Sequence, residues 1–157
     1  MKIKKQISLV AMILMVASVV TISACKKDEV KGCNDPNSMS YNPDAEENDG
    51  SCEYAGLGGQ TTIVAFPKHH GNDTRPYHVY VKFNAQEFPG TNPSAYDLDI
   101  VADTTENHIE IENLKPGYYY IYMTAFDTAI NAPVVGGIPY LLMQSSGEVD
   151  LDVPVTE

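Results

Sequence analysis

The sequence predicts an all-β protein: about seven short antiparallel strands folded as a β-sandwich, preceded by an irregular segment lying between two cysteines. Three observations predict it. From residue 61 onward, β-branched and aromatic residues gather in short runs that recur every 10 to 20 residues, with Gly, Pro, Asn and Asp between them. Several of these runs alternate apolar and polar residues with a period of two. No segment sustains the 3.6-residue period of an amphipathic helix.

Taken in order, TTIVAF is the first strand. PYHVYVKFN alternates cleanly, with Tyr77, Val79, Val81 and Phe83 on one face and His78, Tyr80, Lys82 and Asn84 on the other. The first two strands are expected to form a hairpin around GNDTRP. YDLDIVAD turns Leu98 and Ile100 inward, and NHIEIENL sets Ile109 and Ile111 against His108, Glu110 and Glu112. YYYIYMTAFD is apolar on both faces, as a central strand requires. VVGGIPYLLM reads as two pieces, because Gly136-Gly137 and Pro139 interrupt a ladder. EVDLDVPVT places Val149, Leu151, Val153 and Val155 inward.

Ahead of the strands the texture is different. MKIKKQ is basic, and ISLVAMILMVASVVTISA is an apolar run that ends in small side chains, the layout of a secretory signal peptide. Such a run is also just long enough to span a bilayer. Its end separates the two readings. Ile22-Ser23-Ala24-Cys25 resembles the bacterial lipobox, in which an aliphatic residue and two small ones precede a cysteine. The resemblance implies cleavage before Cys25 and attachment of diacylglycerol to its thiol, and two or more acyl chains anchor stably where one does not. The residue after Cys25 is Lys26, not the aspartate that retains some lipoproteins at the inner membrane, so the expected address is the outer membrane. Lys27-Asp28-Glu29 resembles the export signal that sends certain lipoproteins to its outer face.

With Cys25 assigned to lipid, Cys33 and Cys52 remain as a pair in an oxidising compartment, where disulfides persist. Between them lie two Pro, one Gly and four Asn but almost no aliphatic residue, so a disulfide would be the main staple. GCNDPNSMSYNPDAEENDGSCEY resembles a short module found near the anchor, or as repeats, in many secreted bacterial proteins. Its acidic close is similar to small calcium loops, and Asp35, Asp44, Asn48, Asp49 and Glu53 offer hard oxygen ligands. The EF-hand spacing fails, however, since glycine falls one place late, and a stapled spacer is the competing reading. The chain thus divides into a leader (1–24), a lipidated tether (25–32), a cysteine-bracketed acidic module (33–54), a linker (55–60) and a sandwich domain (61–157).

Asn113-Leu114-Lys115-Pro116-Gly117-Tyr118-Tyr119 resembles the L-x-P-G-x-Y turn that opens a central strand in transthyretin-like and carboxypeptidase-regulatory-like domains. Pro116 and Gly117 suit positions i+1 and i+2 of a type II turn. A tyrosine just past the turn can bond nearby backbone through its hydroxyl, as in the tyrosine corner of immunoglobulin-like sandwiches. The resemblance implies a fold used more often for binding than for catalysis. The domain is also similar to a group of small bacterial envelope lipoproteins sharing His-His-Gly and Pro-Gly segments, a resemblance that implies no activity.

Formal net charge is −11. Loss of the leader removes Lys2, Lys4 and Lys5, which leaves seven basic against 21 acidic side chains and a net charge of −14. Such a surface repels phosphate backbones, so nucleic acid is not an expected partner. Among candidate ligating residues the histidines lead. His69 and His70 follow the first strand and His78 lies on the second, so the expected hairpin would bring imidazoles together for zinc or copper. His108 could join only if its strand lies alongside. Against this, no C-x-x-C or H-E-x-x-H spacing is present, and adjacent histidines of an extended chain project to opposite sides.

There is no G-x-S-x-G elbow, no glycine-rich phosphate loop and no thiol left for a Cys-His pair, so an enzyme is not expected. Tyr77, Tyr80, Tyr96, Tyr118, Tyr120 and Tyr140 carry rings with polar tips, a composition common at interfaces with proteins or glycans, although strand packing also accounts for most of them. The sequence therefore points to an anchored, non-catalytic binding or interaction module, an accessory subunit of an envelope complex. The alternative is a metal-handling lipoprotein.

Overall fold

The computed structural model describes residues 29–103 and 105–157. The expected leader, the expected lipidation site Cys25 and the first residues of the expected tether lie outside the described residues. The fold is all-β, with ten strands among the described residues: β1 (Lys31–Gly32), β2 (Glu47–Asn48), β3 (Leu57–His69), β4 (Asn72–Asp73), β5 (Arg75–Phe83), β6 (Leu98–Val101), β7 (Ile109–Leu114), β8 (Gly117–Asp127), β9 (Ala132–Leu142) and β10 (Ser146–Pro154). One sheet runs β6-β5-β8-β9; the other is centred on β3, flanked by β10 and β7, with short β4 at its end. Each of the seven expected strands is present.

Alternation builds the core. Val79 and Val81 of β5, Ile121 and Met123 of β8, Ile63 of β3, Ile111 of β7 and Val153 of β10 are all fully buried between the sheets. The opposite face of β5 and β8 is also covered. Tyr80, Tyr120 and Tyr122 are buried there beneath Tyr96 and Phe88, which come from the long β5–β6 connection. Three of the six tyrosines weighed as interface residues, Tyr80, Tyr96 and Tyr120, are therefore packed together, while Tyr77 remains exposed.

The structure differs from the sequence reading in four places. β10 pairs with β3 in parallel, from Ser146 opposite Gln60 to Pro154 opposite Lys68, whereas the other long pairs are antiparallel. β9 is one unbroken strand paired along β8 from Ala132 to Leu142. Pro139 is accommodated because β9 is the edge of its sheet, where a missing N–H costs no ladder bond. Gly136 lets the chain after β10 press onto β9, for a Cβ there would strike the carbonyl of Pro154.

The linker is the third difference. β3 begins at Leu57 and Ala55 is buried, its N–H donating to Asn84 Oδ1 at 2.8 Å. Gly117 adopts φ 151°, more extended than a type II turn requires. The reason is Ala55, whose backbone would lie 2.6 Å from any Cβ at residue 117. The fourth is the expected hairpin of the first two strands. Thr74 bonds the carbonyl of Pro67 through both its N–H and its hydroxyl, which makes a corner, and the chain crosses there to the opposite sheet.

Cys33 and Cys52 are joined, with Cα atoms 4.8 Å apart. Inside this stapled module the buried Ser38 hydroxyl acts as a hub, donating to the Glu53 carbonyl and accepting from the Glu53 N–H. Gln86 of the β5–β6 connection donates to the Pro36 carbonyl, so the module rests on the end of the sandwich where β3 begins.

Candidate functional site

β3 and β8 each run from one end of the sandwich to the other. Their starts meet at the tyrosine corner: the Tyr119 hydroxyl donates to the Lys115 carbonyl at 2.5 Å and accepts the Gly56 N–H at 3.1 Å. Their ends meet at a histidine–carboxylate pair. His69, the last residue of β3, is buried, and its Nδ1 lies 2.7 Å from Oδ2 of Asp127, the last residue of β8. The Asp127 carboxyl is held below the usual carboxylate range, first by the hydrogen bond from His69 and then by the Ala129 N–H, which reaches Oδ1 at 2.7 Å. An ionised carboxylate can only accept, so Nδ1 carries the proton and donates it. Nε2 is then the nitrogen left to coordinate.

His70 follows in an unusual conformation. With φ 51° at His70 and 82° at Gly71, the two residues form a two-residue turn of the type I′ kind, closing β3 onto β4 with His69 opposite Asn72. The left-handed backbone defeats the rule that neighbouring side chains diverge, and the two imidazole rings lie 4.2 Å apart. On the other side, Val155 donates to the Lys68 carbonyl, and Val135 and Thr156 exchange a pair of 2.8 Å hydrogen bonds that bridge the two sheets. This pinning carries the chain past β10 to Glu157. One nitrogen from each histidine and one Glu157 oxygen lie within 4.8 Å of one another. Among the described residues, no other group of three His, Cys, Asp or Glu side chains converges in this way.

The site opens into a groove of about 440 Å³ floored by Pro154, Val155 and Thr156. Lys68 borders it, yet its ammonium is engaged by Asp73 and lies 3.7 Å from Asp152. Asp73 is the main cause of the raised Lys68 pKa, so this cation is held charged and turned to carboxylates.

His78 is not part of the cluster. It sits on β5 in the other sheet, with Nδ1 2.7 Å from Asp99 and its ring stacked on Tyr80 at 5.5 Å. The expected trio of His69, His70 and His78 is corrected to His69, His70 and Glu157, because the chain changes sheets between the histidines. The strand of His108 does lie beside β3, but its ring faces Phe66 at 5.3 Å, between Glu106 and Glu110.

In the stapled module the candidate calcium oxygens are turned onto the chain itself. Asn48 Oδ1 accepts the Gly50 N–H, Asp49 Oδ1 the Ser51 N–H, and Asp35 both the Asn37 N–H and the Tyr54 hydroxyl. Asp44 and Glu53 do not gather with them into a trio of carboxylates.

Sequence reasoning missed Asp127 and Glu157. A carboxylate closing an otherwise apolar strand was the available signal for Asp127; Glu157 carries none. Comparison with protein families, curated proteins and solved structures returned no match for this chain.

Proposed function

We propose that this chain is a non-catalytic binding module, lipid-anchored to the outer membrane through Cys25, that presents the histidine end of its sandwich away from the bilayer. The observation that carries the reading is the polarity of β3 and β8. The chain enters from its tether and stapled module at the tyrosine corner, while His69 and Asp127 stand at the far ends of the same strands. From Tyr119 to Asp127 the strand covers roughly 25 Å at its usual rise per residue. A docked, disulfide-closed base holds the domain off the membrane, and the strongly acidic surface favours cationic ligands over phosphates. An accessory role in an envelope complex fits a small domain with one open pole.

Anchoring is tested by Cys25→Ser. The wild-type chain is expected to incorporate labelled palmitate and sediment with outer membranes, and the variant is expected to lose the label and accumulate with its leader attached. A wild-type chain without acyl label, or a variant that is processed and retained normally, would refute the anchor.

A further inference from the structure

We propose that His69, His70 and Glu157 form a zinc site in which Asp127 is the positioning residue behind His69. Two imidazoles and one carboxylate match the three-ligand sets that hold zinc with a fourth position open to water or a ligand. The arrangement has the features such a site needs. A ligating histidine ordinarily donates its other ring N–H to a carboxylate, which fixes the tautomer and raises ligand basicity, and Asp127 does this for His69 at 2.7 Å. His69 is only 3% exposed and cannot swing away, so one ligand is preorganised. His70 and Glu157 are exposed and free to close in. Bonds of about 2.0–2.1 Å in a tetrahedral site put donor atoms about 3.3 Å apart. The atoms now lie within 4.8 Å, so closure asks for a shift of about 1.5 Å from two surface side chains. Lys68, which borders the groove, is paired with Asp73 and Asp152, and this offsets its repulsion of the ion.

The inference names the ligand of the open pole and takes from the anchoring reading only its orientation. Binding is therefore measured on the full chain in detergent solution, where loss of anchoring has no effect on the result. After treatment with chelator, titration with zinc chloride followed by calorimetry is expected to show one equivalent bound. His70→Ala and Glu157→Gln should each weaken binding at least tenfold, and His78→Ala should leave it unchanged. Asp127→Asn should weaken it 10- to 100-fold and shift the visible spectrum of the cobalt-loaded chain, a signature that packing alone would not move. His70 and Glu157 are both exposed, and tyrosine circular dichroism checks that the two variants keep the fold. Absence of stoichiometric zinc binding, retention of wild-type affinity in the His70→Ala, Glu157→Gln double variant, or loss of binding in His78→Ala would each overturn the site.

Discussion

Tyr119 and Asp127 lie on the same strand at opposite ends of the sandwich, and their polar atoms are used in opposite ways. The Tyr119 hydroxyl is enclosed, shared between the Lys115 carbonyl and the Gly56 N–H, and burial raises its pKa. Everything it touches is backbone, so its effect is to weld the incoming chain to the turn before β8. Asp127 also bonds backbone, at Ala129, but its second oxygen goes to a side chain with a nitrogen still to offer. One end closes its hydrogen bonds inward; the other leaves ligand atoms facing a groove. Fully satisfied buried networks rigidify a fold, as at the tyrosine corner.

The sharpest way to break this contrast is to delete each polar centre and compare the costs. Tyr119→Ala removes a fully buried ring that stacks edge-on to Phe83, and should cost about 3–5 kcal/mol in urea unfolding. Tyr119→Phe keeps the ring but strands the buried backbone partners, at about 1–3 kcal/mol. His70→Ala at the other end, an exposed position on a left-handed backbone, should cost no more than about 1 kcal/mol. Equal costs at the two ends would mean that the histidine pole is structural as well.

Between the poles, the covered outer face of β5 and β8 gives a pH test. Burial, with smaller contributions from Tyr120 and Tyr122, pushes the Tyr96 phenol up to about 12. In the unfolded chain a tyrosine ionises near 10, so the stability linked to neutral Tyr96 is fully present below about 10. It is lost as pH rises toward about 12, because the unfolded state then releases a proton that the folded state keeps. Tyr96→Phe should flatten that alkaline decline, although it also forgoes the hydrogen bond to the Gly90 carbonyl. A decline as steep in the variant would place the sensitivity in another group.

Local pattern carried most of the fold into view. Recurring β-branched and aromatic runs, several of them alternating with a period of two, located seven strands, and the turn before Tyr119 predicted a hydroxyl bonded to backbone. Pairing and sheet assignment depend on contacts far apart in the chain, and there two expectations failed, the antiparallel placing of β10 and the hairpin of the first two strands. Nothing in TTIVAF or EVDLDVPVT says that β3 and β10 run parallel, and Thr74 folds back on Pro67 to send β5 to the other sheet. The site fared similarly. His69 and His70 were legible as candidates, but their convergence depends on a left-handed residue, and their partner Glu157 is delivered by a bridge to Val135. Histidine before glycine was the local hint, since histidine is enriched among residues that accept positive φ.

The most direct test of the two-pole account is a zinc titration of the isotopically labelled full chain followed by backbone amide NMR. The account predicts shifts confined to His69, His70, Asp127 and Glu157 and their neighbours, with Gly56, Lys115 and Tyr119 unmoved. Shifts centred on His78 and Asp99, on the Asp44 to Glu53 segment, or on the tyrosine corner would contradict it.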